Sequence, residues 1–286
     1  MDATTSSRSS FSFELFPPKT AEGMEKLKSA VIALSARGPE YFSVTYGAGG
    51  STRERTFETV AWLRSQGIET APHLACVGSR RAEVQQILQH YREQSIHRIV
   101  ALRGDLPSGM GVGAAGDFRY ANELVEFIRA EQGDAFRIEV AAYPEYHPQA
   151  LNPTRDIENF RRKVEAGADA AITQYFYNAD AYFGFVDRCR DLGIQIPIIP
   201  GIMPITNYTQ LARFSDACGA EIPRWVRRRL EAYGDDVESL RAFGHEVVLR
   251  LCRHLLEGGA PGLHFYTMNQ SGPTLRLWRD LDLPDG

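Results

Sequence analysis

The sequence predicts an α/β protein: a single-domain (β/α)8 TIM barrel with extra helices before the last strand. Three observations support this fold class. Eight short β-rich segments alternate with longer segments of helical periodicity, several of the β-rich segments are almost continuously apolar, and a glycine follows most of the helical segments. Parallel strands buried on both faces give such apolar runs, and 286 residues are enough for one barrel. A doubly wound open sheet is the main alternative.

The predicted strands are distributed over the whole chain, each separated from the next by a segment long enough for a helix. They comprise residues 11–16, 41–46, 69–76, 98–103, 137–143, 171–177, 196–202 and 263–268. A strand followed by a helix, repeated eight times in a chain of this length, is typical of a closed barrel of parallel strands.

The predicted helices are recognised by their apolar spacing and by the residue that ends them. Met24, Leu27, Val31 and Leu34 recur at intervals of three and four residues, which places them on one helix face. Glycine tolerates the left-handed conformation that ends many helices, so the following glycines are interpreted as helix stops. They are Gly38, Gly67, Gly133, Gly167, Gly193 and Gly258. The stretch 204–259 is longer than one crossover needs and therefore predicts additional helices.

Composition and charge indicate a cytoplasmic protein that binds neither nucleic acid nor membrane. Apolar residues make up 43% of the chain, charged residues 24%, and the net charge is −4. The densest basic run, residues 224–229, is expected to form a helix with Trp225, Val226 and Leu230 on an apolar stripe and a solvated basic face. No apolar run reaches the ~20 residues of a membrane span. Residues 1–10 lack the pattern of a signal peptide and predict a disordered tail before a barrel domain at 11–286.

The cysteines and histidines do not predict a metal site. Cys76, Cys189, Cys218 and Cys252 are widely spaced and form no CxxC pair, so we expect them to pack as small hydrophobic residues in a reducing compartment. His73 follows the third strand without a second histidine or a cysteine nearby in the sequence.

The catalytic groups of a barrel lie at the C-terminal ends of its strands, and the first strand delivers an acid there. Glu14 stands between Phe13 and Leu15, in a stretch where an acidic side chain is costly unless it is paired or protonated. Burial raises the pKa of a carboxyl group, which suits a general acid near neutral pH. The alternative is a structural glutamate that pairs with an arginine inside the barrel.

The other strand ends carry groups suited to a flat polar ligand. Arg103 and Asp105 flank a glycine after the fourth strand, Tyr143 and His147 lie between prolines after the fifth, and Gln174 ends an apolar run in the sixth. The glycines at 111, 113 and 116 match GxGxxG, but this motif starts well after the strand end, so a mobile lid is favoured over a dinucleotide fingerprint. Aromatic groups without a metal or nucleophile cluster point to an organic cofactor.

With these motifs, the chain resembles the methylenetetrahydrofolate reductase family. The matching stretches follow the family's order: FELFPP at 13–18, SVTYGA at 43–48, APHL at 71–74, HRIVALRGDLP at 97–107, AAYPEYH at 141–147, AITQYF at 171–176, IPGIMP at 199–204 and HFYTMN at 264–269. The resemblance implies a barrel that binds FAD, oxidises NADH or NADPH, and reduces 5,10-methylenetetrahydrofolate to 5-methyltetrahydrofolate in a ping-pong reaction that feeds methionine synthesis. It also implies a homo-oligomer, either a dimer or a tetramer.

The same resemblance implies a role for each matched residue. Glu14 would be the general acid, Asp105 would lie near flavin and pterin, Gln174 would contact folate and nicotinamide, and Tyr208 would stack on substrate. Gln270 stands where many members carry an arginine that helps to hold the glutamate tail of the folate. Thr45 is expected to contact substrate as well as cofactor. The positions that match FAD-binding or pocket-lining residues are Thr45, Tyr46, Ala48, His73, Arg103, Gly104, Asp105, Tyr120, Ala121, Tyr143, His147, Asp156, Asn159, Arg162 and Lys163.

Two other functions stay open at this point. A related FAD barrel such as a proline dehydrogenase would need a site for a small amino acid rather than for a pterin. A barrel that has lost its activity could serve as a folate-binding protein, although Glu14, Asp105 and Gln174 are all present.

Overall fold

The strands run parallel to one another and follow each other around the sheet in chain order. A computed structural model describes residues 9–46, 50–104 and 116–285, except for the side chains of residues 50–52. The strands in these ranges are β1 (Ser10–Leu15), β2 (Tyr41–Val44), β3 (Thr70–Ala75), β4 (Arg98–Leu102), β5 (Arg137–Ala142), β6 (Ala170–Thr173), β7 (Ile198–Ile199), β8 (Gly201–Ile202) and β9 (Gly262–Tyr266). β1 pairs with both β2 and β9, so the first and last strands are neighbours, as in a barrel.

The helices alternate with the strands. They are α1 (Ala21–Ser35), α2 (Gly50–Ser65), α3 (Arg81–Glu93), α4 (Ala121–Gln132), α5 (Pro153–Glu165), α6 (Ala179–Asp191), α7 (Tyr208–Cys218), α8 (Arg224–Tyr233), α9 (Val237–Glu257) and α10 (Ser271–Asp280). The helices α7, α8 and α9 occupy the long stretch before the last strand, which confirms the expected insertion.

The seventh strand position differs from the prediction because a proline interrupts it. The predicted strand 196–202 consists of β7 and β8, two residues each, on either side of Pro200. Pro200 has no N–H to donate, but its carbonyl accepts a hydrogen bond of 3.0 Å from the backbone N–H of His264. β7 pairs with β6 and β8 pairs with β9, so the interrupted strand closes the barrel and excludes the open-sheet alternative.

Several strand boundaries and the packing of one helix also differ from the sequence prediction. The sixth strand ends at Thr173, and the residues up to 177 form a buried connection instead. β1 begins at Ser10, so that residue belongs to the barrel rather than to a tail, while residues 1–8 lie outside the described residues. In α8, Val226 and Leu230 are buried as expected, but Trp225 is 59% exposed, and its ring meets that of Phe243 edge to face.

The predicted glycine stops are confirmed at five of six positions. Gly38, Gly67, Gly133, Gly167 and Gly193 all have positive φ. Gly258 was the wrong residue, because its φ is −77° and Gly259, with φ +86°, takes the left-handed conformation. Gly258 is instead required by packing, since a Cβ there would lie 2.2 Å from the ring of Phe183.

The cysteines are free thiols in the described structure, as their spacing predicts. Cys76, Cys189 and Cys252 are buried free thiols, and Cys218 is a half-buried one. Among the residues described, no group of His, Cys, Asp or Glu side chains could hold a metal ion. No helix in the same ranges is long and apolar enough to cross a membrane.

The closure of the barrel depends on a glycine at the start of β9. Gly262 pairs with Ser10 of β1, and a Cβ at this position would lie 1.7 Å from the Ser10 carbonyl oxygen.

We expect Gly262→Ala to lower the free energy of unfolding by about 2–3 kcal/mol, because the two strands must separate to admit the methyl group. Urea denaturation followed by circular dichroism measures the change. Gly272→Ala, where no atom lies within 4 Å of the added carbon, is the control and should shift the stability by less than about 0.5 kcal/mol. Equal stability of the two variants would contradict the close-packing role of Gly262.

Candidate active site

A cavity of about 260 Å³ opens at the C-terminal ends of the barrel strands. It lies where barrels of this kind place their active sites. Four residues that were predicted from sequence to belong to the site, Glu14, His73, Tyr143 and Gln174, line it. The full lining is Glu14, His73, Val100, Leu102, Ala141, Tyr143, Ile172, Gln174, Tyr175, Met203 and Tyr266.

Glu14 is an acidic side chain whose nearest basic neighbours are two histidines. Its carboxyl group is 20% exposed, and Oε2 lies 3.4 Å from Nε2 of His73 and 3.7 Å from Nε2 of His264. The described residues do not show Glu14 paired with an arginine. Arg98 pairs with Glu139 and Glu40 instead. The backbone of Glu14 is fixed by Thr267, whose hydroxyl donates to the Glu14 carbonyl at 2.6 Å.

The two imidazoles beside Glu14 are buried and have no hydrogen-bond partner at Nε2 within the described part of the chain. Burial lowers the pKa of His73, the Glu14 carboxylate acts in the opposite direction, and His264 adds to the lowering. His73 is therefore neutral near pH 7. His264 is completely buried, and its Nδ1 lies 2.7 Å from Oγ of Ser12. Sequence reasoning singled out His73 but missed Ser12 and His264, although His264 opens one of the quoted motifs.

Gln174 and Tyr266 also line the cavity, and Tyr266 is in register with Glu14 on the adjacent strand. Oε1 of Gln174 accepts a hydrogen bond of 3.0 Å from the backbone N–H of Tyr175, which leaves the amide NH2 group as its other hydrogen-bonding group. The Tyr266 hydroxyl donates to the Thr173 carbonyl at 2.7 Å. Burial, with a smaller contribution from Glu14, raises the pKa of Tyr266 well above its usual value, so this group stays neutral.

The loop between β5 and α5 brings together several of the positions matched to FAD binding. The rings of Tyr143 and His147 meet edge to face with centroids 4.6 Å apart. The backbone N–H of His147 donates to the carboxylate of Asp156 at 3.0 Å. Lys163 donates to the carbonyl of Ala141, which lies in the cavity wall. Burial lowers the pKa of Lys163 to about 8, although Asp156 opposes this shift. A cation held by a carbonyl rather than by a salt bridge can accept an anionic partner.

Two backbone positions at the ends of β2 and β4 are also fixed by close packing or hydrogen bonding. Gly104 has φ +83°, and a Cβ there would lie 2.9 Å from that of Ala75, so this position requires glycine. The backbone N–H of Thr45 donates to the Leu15 carbonyl at 2.9 Å, which holds the end of β2 beside that of β1.

Other predicted site residues lie away from the Glu14 cavity or outside the described residues. Arg162 lines a groove between α4 and α5, and its guanidinium contacts Asn159 at 3.4 Å. The Tyr208 hydroxyl donates to Glu231 at 2.7 Å, and Tyr120, which precedes Ala121, is 58% exposed. The predicted positions Ala48 and Asp105, and the glycine-rich segment up to residue 115, lie outside the described residues.

Gln270 lines a second cavity, of about 270 Å³, on the far side of the loop that follows β8. Pro204, Ile205 and Thr206 border this cavity, whereas the preceding residue, Met203, borders the Glu14 cavity. Arg241 and Arg276 lie in the wall beside Gln270. The loop that follows β8 therefore separates the cavity lined by Glu14 from the cavity lined by Arg241 and Arg276.

Comparisons with known proteins assign the sequence to a family. The model of the family described as methylenetetrahydrofolate reductase matches residues 1–282. The chain is 38% identical over 276 residues to the 5,10-methylenetetrahydrofolate reductase of Escherichia coli K12, covering 96% of this chain and 91% of that protein. It is also 38% identical to the probable methylenetetrahydrofolate reductase (NADH) of rice over 99% of this chain, but it spans only 50% of the rice protein.

A solved structure supports the barrel fold. An uncharacterized protein from Clostridium thermocellum, described as binding two copies of 5-methyl-5,6,7,8-tetrahydrofolic acid, superimposes with a TM-score of 0.66. The alignment covers 96% of this chain and 93% of that protein, at 17% sequence identity. At this identity the likeness shows the fold alone.

Proposed function

We propose that this chain, which belongs to the methylenetetrahydrofolate reductase family, reduces 5,10-methylenetetrahydrofolate to 5-methyltetrahydrofolate. FAD would be the bound cofactor, NADH or NADPH the electron donor in a ping-pong reaction, and the product a methyl source for methionine synthesis. The observation that carries the proposal is that Glu14, an acid with no guanidinium or ammonium partner among the described residues, lines the same cavity as Gln174. The name of the rice relative supports a nicotinamide donor.

Glu14 would supply the proton that opens the substrate ring. A tertiary amine leaves only after protonation, so the methylene carbon becomes an electrophilic iminium when an acid donates to the ring nitrogen. The two groups that face Oε2 of Glu14 are imidazoles within 3.7 Å, and His73 is neutral near pH 7 because burial lowers its pKa. A neutral neighbour does not hold a carboxyl group in its charged form as an arginine would. Gln174 would orient the pterin through its amide.

The residues between β5 and α5 fit a flavin cofactor. A bound FAD would supply the hydride-transfer chemistry between the nicotinamide and the methylene carbon. Lys163 offers a half-buried cation for the pyrophosphate, the edge-to-face pair of Tyr143 and His147 offers an aromatic wall, and Gly104 lets the backbone approach closely. The remaining positions matched to FAD, including Thr45, stay predictions.

The cavity beside Gln270 would hold the glutamate tail of the substrate. Gln270 cannot pair with a carboxylate as arginine does, but Arg241 and Arg276 line the same cavity. The described contacts of Arg241 comprise a 3.5 Å hydrogen bond to the Thr206 carbonyl and no carboxylate partner. We therefore assign the tail carboxylates to these two arginines rather than to position 270.

Arg241→Gln is expected to raise KM for the folate about tenfold, because a charge-assisted hydrogen bond is lost. Bleaching of bound FAD by NADH should not change. Steady-state and anaerobic half-reaction kinetics provide both values. Arg250→Gln, on the same helix but paired with Glu246, is the control. An unchanged KM in the first variant would remove Arg241 from the folate site.

The experiment that tests the proposed function is an anaerobic absorbance titration of the purified protein. Bleaching of a flavin band by NADH or NADPH and its recovery on adding 5,10-methylenetetrahydrofolate is the expected result. Bleaching by proline instead would support the proline dehydrogenase alternative. A colourless protein that cannot be reconstituted with FAD would support a folate-binding barrel without activity.

A further inference from the structure

We propose that the ring of Tyr266 aligns the folate with Glu14, and that the break in the seventh strand at Pro200 holds this ring in place. In this assignment Tyr266 contacts the substrate. Thr173 at the end of β6 and Gly201 at the start of β8 are positioning residues, because they act through Tyr266. The inference rests on the proposed function, since it concerns the reaction of the folate.

Tyr266 stands next to the proposed general acid. It is in register with Glu14 on the adjacent parallel strand, β9 beside β1, and both residues line the same cavity. Paired residues on neighbouring strands project from the same face of a sheet and lie about 5 Å apart. A pterin that receives a proton from Glu14 is therefore within reach of the Tyr266 ring, and an aromatic ring is a favourable surface for a planar ligand.

The hydroxyl of Tyr266 replaces a backbone hydrogen bond at the strand break. The pairing of β6 with β7 ends at the residue before Pro200. If the same register continued, the Thr173 carbonyl would accept the N–H of Gly201. Instead the Gly201 N–H donates to the Thr173 hydroxyl at 2.9 Å, and the Thr173 carbonyl accepts the Tyr266 hydroxyl at 2.7 Å. The phenol proton is thus engaged, so Tyr266 offers a ligand its ring and not a hydrogen-bond donor.

Gly201 leaves the space that the Tyr266 ring occupies. A Cβ at position 201 would lie 2.6 Å from Cε2 of Tyr266 and 2.2 Å from the Thr173 carbonyl oxygen. The ring also meets those of His264 and Tyr175, at centroid distances of 5.4 and 6.3 Å. A ring that is already fixed by its hydroxyl and by its neighbours loses little freedom when a ligand binds, which suits a surface that aligns a substrate.

Tyr266→Phe tests the alignment, because it keeps the ring and removes the hydrogen bond that fixes it. The rate of flavin reoxidation by saturating 5,10-methylenetetrahydrofolate should fall about tenfold, since a displaced substrate is poorly aligned with the acid. KM for the folate should change little, because the ring is retained. Bleaching of FAD by NADH, which does not involve Glu14, should be unchanged. Anaerobic stopped-flow absorbance and steady-state kinetics provide these values.

Tyr182→Phe is the matched control. The Tyr182 hydroxyl also donates at 2.7 Å to a carbonyl of the interrupted strand, that of Ile198, but Tyr182 does not line the cavity in the described structure. Both variants lose the same kind of hydrogen bond, so thermal unfolding should show similar losses of stability. Only Tyr266→Phe should slow the reaction of the folate. Equal folate kinetics in the two variants would overturn the proposal.

Thr173→Val tests the same hydrogen bond from the other strand. Without the hydroxyl, the Gly201 N–H turns to the backbone carbonyl at position 173 and displaces the Tyr266 hydroxyl, so the reaction of the folate should again slow. Thr173→Ser keeps the acceptor and should match wild type. Because both changes act on one bond, the loss in the double variant Tyr266→Phe/Thr173→Val should be smaller than the product of the single losses. Independent losses would show that the strand break does not act through Tyr266.

The wild-type titration separates this inference from the proposed function. A wild-type flavin that the folate does not reoxidise would refute the proposed function and, with it, the alignment. Normal reoxidation in the wild type together with an unslowed Tyr266→Phe would refute the alignment alone.

Discussion

Glu14→Gln should lose ~10²- to 10⁴-fold in the rate of folate reduction, the usual contribution of a positioned general acid. The amide keeps the size of the side chain but cannot deliver the proton that opens the substrate ring. Bleaching of bound FAD by NADH or NADPH needs no such proton and should remain within about twofold of wild type. Anaerobic stopped-flow absorbance resolves the two half-reactions.

The contrast between the half-reactions makes this result specific. Glu69→Gln serves as the control, because Glu69 pairs with Arg64 and its carboxyl group is 60% exposed. This variant should match wild type in both steps. A Glu14→Gln enzyme that loses both steps equally would instead indicate a role of Glu14 in holding the site together, and the assignment as general acid would be wrong.

The barrel could be predicted from the sequence because its contacts follow chain order. Each strand pairs with its neighbour in sequence, so local apolar patterns and glycine stops were sufficient to order the elements. The interruption at Pro200 had a visible signal, since a residue without an N–H interrupts a strand ladder. The flanking isoleucines concealed this signal, because they are buried on both sides of Pro200 and look like one continuous apolar strand.

The chemistry around Glu14 could be predicted only in part. An acid in an apolar strand has few explanations, so Glu14 itself was recognisable. Its surroundings were not, because His264, which lies beside Glu14, and Ser12, which contacts His264, are brought together only by the register of the first and last strands. Each of these residues alone has the appearance of an ordinary strand residue. The cavity beside Gln270 was invisible for the same reason, since Arg241 and Arg276 come from different helices.

Lys163→Met should weaken FAD binding by about 100-fold, because the pyrophosphate site proposed above would lose its half-buried cation. In the wild type, burial lowers the pKa of Lys163 to about 8. Below this pH the side chain is charged and attracts an anion, and above it the side chain is neutral. The affinity for FAD should therefore fall as the pH rises through about 8.

Titration of the FAD-free protein with FAD, followed by flavin fluorescence between about pH 6 and 9.5, measures both effects. Lys28→Met, at an exposed pair with Glu25, is the control and should keep the wild-type affinity and pH dependence. The Asp156 carboxylate opposes the lowering of the Lys163 pKa. Asp156→Asn should therefore lower that pKa further and move the loss of FAD affinity to lower pH. The pH dependence should disappear in Lys163→Met. If it persists there, another group carries the charge that FAD requires, and the half-buried lysine is a structural partner of the Ala141 carbonyl alone.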